Sequence, residues 1–191
     1  MLTSARAVAL ASALLGSALP GASAGASVPD TAVLEFLGFR AGARLDELAQ
    51  HLHSTGSGRM RCRQSRVDPR VNECRAALKA RQFGGAVELW VSAMDSVAGV
   101  ITLSGIPAPG QLEHWREELE SRYGRVSPRT QGAQKMFQWV RRGRMMRLTW
   151  RVERGQKVVS VSLVDGRVLD SWGRTGAPPR GSPPQPASRT R

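Results

Sequence analysis

The sequence predicts an α+β fold: a single domain with an antiparallel meander sheet packed against two short helices and one disulfide. Three observations lead there. Two stretches carry apolar residues at helical spacing. Several later stretches alternate apolar and polar residues with period two. Helix-like and strand-like stretches are segregated along the chain, which favours α+β over a parallel α/β design.

The chain has 191 residues, and residues 1–24 read as a signal peptide. Arg6 supplies the positive start, and Ala7 to Leu19 is apolar except for Ser12 and Ser17. Pro20 and Gly21 break the run, and Ala22-Ser23-Ala24 fits a small-x-small cleavage site. Ala24-Gly25-Ala26 is a second option. A spanning helix needs about 20 apolar residues, more than this run offers, so cleavage is expected rather than anchoring. No cysteine follows the run to accept a lipid. No later segment is long and apolar enough to span a bilayer. The expected location is secreted or periplasmic.

Residues 25–29 read as a short leader, 30–173 as the α+β domain, and 174–191 as a disordered tail. That tail holds Pro178, Pro179, Pro183, Pro184 and Pro186 with almost nothing apolar to bury.

Within the domain, Leu45, Leu48, Ala49 and Leu52 form one apolar stripe. Thr55-Gly56-Ser57-Gly58 ends that helix. A loop-rich, basic insertion is expected near 54–76. Val87, Leu89 and Val91 read as a strand with Trp90 on its other face, and Val97 to Ser104 as another. The second helix runs from about Gln111 to Tyr123, with Leu112, Trp115, Leu119 and Tyr123 on one face. Gly124 is its natural stop.

A four-strand meander then follows. Its strands are Met136 to Arg141, Met145 to Glu153, Lys157 to Val164 and Arg167 to Trp172. Asp165-Gly166 reads as the last hairpin turn. Alternation places Met146, Leu148, Trp150 and Val152 in the core, with Arg147, Thr149 and Arg151 pointing away. No internal repeat shows a convincing register.

Phe36-Leu37-Gly38-Phe39, Gly42 and the helix with Leu45, Leu48 and Leu52 resemble the opening of small exported domains of the BamE/β-lactamase-inhibitor-like kind. The resemblance covers only that opening segment. It implies a Gly-rich entry, a short helix, a following antiparallel sheet and a non-enzymatic protein-contact role. The lipid-attachment cysteine of the BamE lipoproteins is missing, which sets this chain apart from an outer-membrane assembly role.

Cys62 and Cys74 are the only cysteines. An isolated pair in an exported chain is expected to bridge, closing a loop worth about 3 kcal/mol by chain entropy. C-x₂-C spacing is absent, so neither a zinc knuckle nor a thioredoxin-type site is suggested.

The net charge is +13, from Lys+Arg 28 against Asp+Glu 15, and only Lys79, Lys135 and Lys157 are lysines. So strong an arginine bias in an Ala- and Gly-rich chain also fits GC-rich coding. Arg59 to Arg75 holds six arginines against Asp68 and Glu73, and Met136 to Arg154 holds six against Glu153.

Catalytic and ligand motifs are missing. His51 and His53 stand two apart, a spacing that does not face one ligand on a helix, and His114 falls on a polar helix side. No metal site and no cofactor are expected. Glu113, Glu117, Glu118 and Glu120 read as a solvated helix face. G-x-S-x-G, S-x-x-K and phosphate-loop patterns are absent.

What remains is a basic hairpin with Trp139 and Trp150, whose Arg141, Arg144, Arg147 and Arg151 are the candidate partner surface. A solvated sheet face that happens to carry arginine is the competing reading. The expected function is an exported, non-enzymatic interaction or scaffold module. Its partner would be an anionic envelope component or an acidic protein, met through a basic sheet face. The alternative is a cell-envelope hydrolase, which would have to gather His51 or His114 with carboxylates in a deep pocket. Nucleic acid fits the charge but not export.

Overall fold

Period-two alternation carries most of this molecule. The computed structural model describes residues 33–172; the segments expected to be signal peptide (1–24), leader (25–29) and disordered tail (174–191), and the outermost residues of the expected domain, lie outside the described residues. A short hairpin, β1 (Glu35–Phe36) and β2 (Phe39–Arg40), leads into α1 (Leu45–Ser54). Four strands follow: β3 (Arg61–Gln64), β4 (Val71–Leu78), β5 (Phe83–Met94) and β6 (Val97–Pro107). Helix α2 (Gln111–Tyr123) leads to four more: β7 (Arg129–Gln131), β8 (Gln134–Arg141), β9 (Arg144–Glu153) and β10 (Gln156–Asp165). Helix α3 (Gly166–Trp172) closes the described chain.

The eight longer-range strands form one antiparallel sheet in the order β3-β4-β5-β6-β10-β9-β8-β7. The architecture is therefore α+β but dominated by sheet. Its plan repeats: a helix followed by a four-strand meander occurs twice, and the two meanders meet at β6 and β10. This is an architectural repeat without the matching sequence register that would have revealed it. Four two-residue turns, Leu37-Gly38, Asp95-Ser96, Arg142-Gly143 and Arg154-Gly155, have both residues at positive φ. That turn type matches the right-handed twist of paired strands.

One face of the sheet is apolar. Val91, Leu89, Ile101, Leu103, Val161, Leu163, Leu148 and Met146 are fully buried there. The apolar faces of α1 and α2 join the same core cluster through Leu48, Leu52, Leu112, Trp115, Leu119 and Tyr123. The Trp115 ring lies 5.2 Å from Phe36, edge-on, and 4.8 Å from Phe83. The Tyr123 hydroxyl accepts the Glu35 N–H at 3.0 Å, which ties the end of α2 to β1. None of the described helices is long and apolar enough to cross a membrane.

Four expectations are corrected. Asp165-Gly166 is not a hairpin turn, and 167–172 is helix rather than strand. The Asp165 carboxylate accepts the Arg167 N–H at 3.1 Å, a helix-starting contact that competes with the turn. The place of the missing strand is taken by β6, which pairs with β10. The region 54–76 is less loop-rich than expected, because β3 and the start of β4 form a hairpin there. Finally, Trp150 is only half-buried and Val152 is exposed. Trp150 still faces the core as expected, stacked on the core residue Phe137 with ring centroids 5.5 Å apart, but the covering thins beyond Leu148 and leaves Val152 to solvent. Ala49 of α1 is likewise exposed.

Candidate functional site

Because side chains alternate along a strand, burying one face fixes what the other presents. The register gives that second face directly. Reading across the sheet, Arg61 opposes Arg75, Arg75 opposes Trp90, and Trp90 opposes Thr102. Thr102 then opposes Ser162, Ser162 opposes Arg147, and Arg147 opposes Gln138. This single row crosses seven strands. Arginines stand toward both ends, one tryptophan stands inside them, and hydroxyls lie at the centre.

The next row adds hydroxyls. Ser104 opposes Ser160 beside the Thr102–Ser162 pair, so β6 and β10 present a block of four. All four are half-buried. Thr102 Oγ1 and Ser162 Oγ are 3.2 Å apart. One of the two donates to the other, so the second keeps its proton for a ligand.

The face is hollowed at the β3 end. A recess of ≈ 1030 Å³ is lined by Arg59, Arg61, Arg63, Arg75, Glu73 and Glu88 among others. A smaller one of ≈ 200 Å³ adjoins it, lined by Arg75, Glu88, Trp90, Thr102 and Ser104. No helix residue lines either. Arg63 pairs with Glu73 at 3.6 Å and Arg75 with Glu88 at 3.0 Å. Arg59 and Arg61 enter no ion pair among the described residues, so the recess keeps an excess of positive charge. Exposed pairs of this kind contribute little to stability and separate readily for a competing anion.

The Cys62–Cys74 disulfide is formed and holds the recess rim. The two cysteines are cross-strand partners, and Cys74 is fully buried on the core face. Arg61 and Arg63, on either side of Cys62, therefore point to the open face.

The four arginines expected as one surface fall on two faces. Arg147 and Arg151 lie on the open face, where Arg147 donates to Gln138 Oε1 at 3.0 Å and Arg151 pairs with Glu153. Arg141 and Arg144 share parity with the buried Trp139 and Met146 and sit at the hairpin end of the core face. Arg141 Nη2 donates to the Tyr123 carbonyl at 2.8 Å, closing the last turn of α2. Arg144 Nε donates to Asp165 Oδ2 at 2.8 Å. Sequence reasoning overlooked Arg61, Arg63 and Arg75 as site residues. The signal was the i, i+2 spacing of Arg59, Arg61 and Arg63 around Cys62.

Asp165 is nearly inaccessible, with Arg144 and Arg167 both on Oδ2 at 2.8 and 2.9 Å. Burial pushes its pKa up, but hydrogen bonds from Arg167 and Arg144 outweigh that and hold it at about 2. A carboxyl so held is ionised at neutral pH and has no proton to donate. It anchors the end of the sheet.

The histidines occupy ordinary positions. His51 Nε2 is 2.9 Å from the Leu37 carbonyl, and its ring packs edge-on against Phe39 at 4.7 Å. The recess that His51 lines contains no carboxylate. His53 and His114 are exposed. Among the described residues no group of three His, Cys, Asp or Glu could hold a metal ion.

Comparison with protein-family models, with curated proteins and with solved structures finds no match for this chain.

Proposed function

We propose that this chain is an exported, non-enzymatic binding module that holds an anionic partner on the open face of its sheet. The partner is a cell-envelope component or an acidic protein, and the protein works outside the cytosol after signal cleavage. One observation carries the reading: the row from Arg61 to Arg147 sets arginines on both sides of Trp90 and a hydroxyl block, with a recess of unbalanced positive charge at its β3 end. Clustered charge of one sign in a concave surface raises the local concentration of counter-charged ligand. The disulfide supports an oxidising compartment. The Asp165 cluster, committed to two guanidiniums, favours a scaffold over a hydrolase.

Two charge-reversed variants test it. Arg61→Glu/Arg75→Glu and Arg147→Glu/Arg151→Glu alter opposite ends of the face and leave the core untouched. Each is expected to lower co-sedimentation with isolated cell envelopes severalfold, and 0.5 M salt is expected to lower wild-type binding similarly. Equal envelope association by wild type and both variants would show that the face is not the binding surface.

A further inference from the structure

From the chemistry of the open face we infer that its ligand is a linear anionic polysaccharide, with Trp90 as the platform for one sugar ring. This rests on the anionic-partner reading above and narrows it to one polymer class. The face offers three kinds of contact in a fixed sequence. Arg61 and Arg75 come first, Trp90 next, then the hydroxyls of Thr102, Ser104, Ser160 and Ser162, and then Arg147. Strand spacing sets the distance from Arg61 to Arg147 at ~24 Å, so an extended polymer is needed to engage both ends.

The hydroxyl block decides the class. Each Ser or Thr hydroxyl both donates and accepts. A ligand that exploits four of them between two cationic zones itself carries groups that donate and accept, interleaved with anions. A chain of sugars bearing carboxylates has that composition. A phosphodiester backbone has acceptors only. Single-stranded nucleic acid also draws on successive stacking aromatics, and this row contains one. A run of acidic residues in a peptide supplies carboxylates but no neutral hydroxyls and no ring to cover Trp90. The half-buried indole beside Thr102, Ser104 and Arg75 lines its own small recess, suited to a single ring.

The test compares polyanions on the purified full chain at one ionic strength, by calorimetric titration. Polygalacturonate is expected to bind at least tenfold more tightly than poly-glutamate or oligo-dT, and neutral dextran is expected not to bind. Trp90→Ala is expected to weaken polygalacturonate about tenfold, a loss of about 1.4 kcal/mol. Trp90→Phe is expected to stay within threefold. Ser104→Ala/Ser160→Ala, which keeps the indole, is expected to weaken polygalacturonate severalfold and poly-glutamate hardly at all. Affinity is expected to climb with oligogalacturonate length until the chain spans the row.

Several results would overturn the assignment. Poly-glutamate or oligo-dT binding as tightly as polygalacturonate is one. A second is indifference of polygalacturonate to both Trp90→Ala and the serine pair, and a third is a monomeric uronate matching the polymer. In each of these, loss of all polyanion binding in Arg61→Glu/Arg75→Glu leaves the anionic-face reading standing. If no polyanion binds the wild type and envelope association also survives charge reversal, both readings fall.

Discussion

Thr102 Oγ1 and Ser162 Oγ meet at 3.2 Å across the seam between the two meanders, β6 ending the first and β10 the second. The contact lies on the open face, while Leu103 opposes Val161 on the buried face beneath it. The seam is thus polar above and apolar below, and the two layers contribute unequally. Replacing both partners of a half-exposed hydrogen bond is nearly neutral, because neither is left unsatisfied. Thr102→Val/Ser162→Ala is expected to change stability by less than about 1 kcal/mol. Leu103→Ala, which opens a cavity in the core, is expected to cost about 2–5 kcal/mol. Urea unfolding of the two variants checks the contrast. A hydroxyl pair as costly as Leu103 would mean that polar contacts hold the halves together.

Acid stability follows from Asp165. Its folded pKa, about 2, lies below the ordinary value of 3.8. A depressed carboxyl contributes stability that is fully present above its unfolded pKa and is lost as pH falls through the folded one. The contribution, on the order of 1–2 kcal/mol, is therefore lost between about pH 4 and pH 2. Asp165→Asn is expected to lose that amount at pH 7 and to flatten the acid limb of a stability–pH curve. An unchanged acid limb in the variant would show that other carboxylates govern it.

Those two sites show how unevenly the molecule was legible in its sequence. Helix α2 was readable to the residue, because Leu112, Trp115, Leu119 and Tyr123 are long apolar side chains at strict helical spacing. Strand β9 was readable to its end at Glu153, but its burial only up to Leu148. Trp150 and Val152 continue the same alternation past the end of the core, and alternation alone carries no signal for where covering elements stop. Asp165-Gly166 suits both a tight turn and a helix start, and the choice came from tertiary partners, Arg144 and Gly143, far back in the chain. The open-face row was invisible for a different reason. Its two halves are built from consecutive hairpins, but they join only through the β6–β10 pairing, whose strands are distant in sequence, so the spacing around Cys62 marks one end and nothing local links Arg61 to Arg147.

Gly42 shows how one backbone conformation supports the Asp165 cluster. Its φ is +83°, and a Cβ there would lie 2.6 Å from Asp165 Oδ2. Its N–H also donates to the Ala98 carbonyl at 2.7 Å, so the segment cannot simply move away. Gly42→Ala therefore meets left-handed backbone strain of roughly 1–2 kcal/mol and displaces the carboxylate as well. A loss of about 2–3 kcal/mol is expected by thermal or urea unfolding. Gly85 is the control, since nothing lies within 4 Å of its added Cβ and its φ is not in the left-handed range. Gly85→Ala is expected to stay within about 0.5 kcal/mol of wild type.

The disulfide links stability to the recess. All four residues of β3 are exposed, so burial does little to hold the strand against β4. The Cys62–Cys74 bond supplies the missing constraint, and by loop closure it is worth about 3 kcal/mol. No free thiol is expected before reduction, and two after it. Reduction, or Cys62→Ser/Cys74→Ser, is expected to lower unfolding stability by about 2–3 kcal/mol. The loss is expected to be local first. Amide exchange at 61–64 would accelerate well before exchange at the buried Leu89 or Leu103, because an edge strand opens without the core. Polyanion affinity is expected to fall with it, as Arg61 and Arg63 leave the rim while Arg147 stays in place. Uniform acceleration across β3 and the core would instead show that the bond guards the whole fold. Unchanged affinity after reduction would remove the β3 arginines from the binding surface.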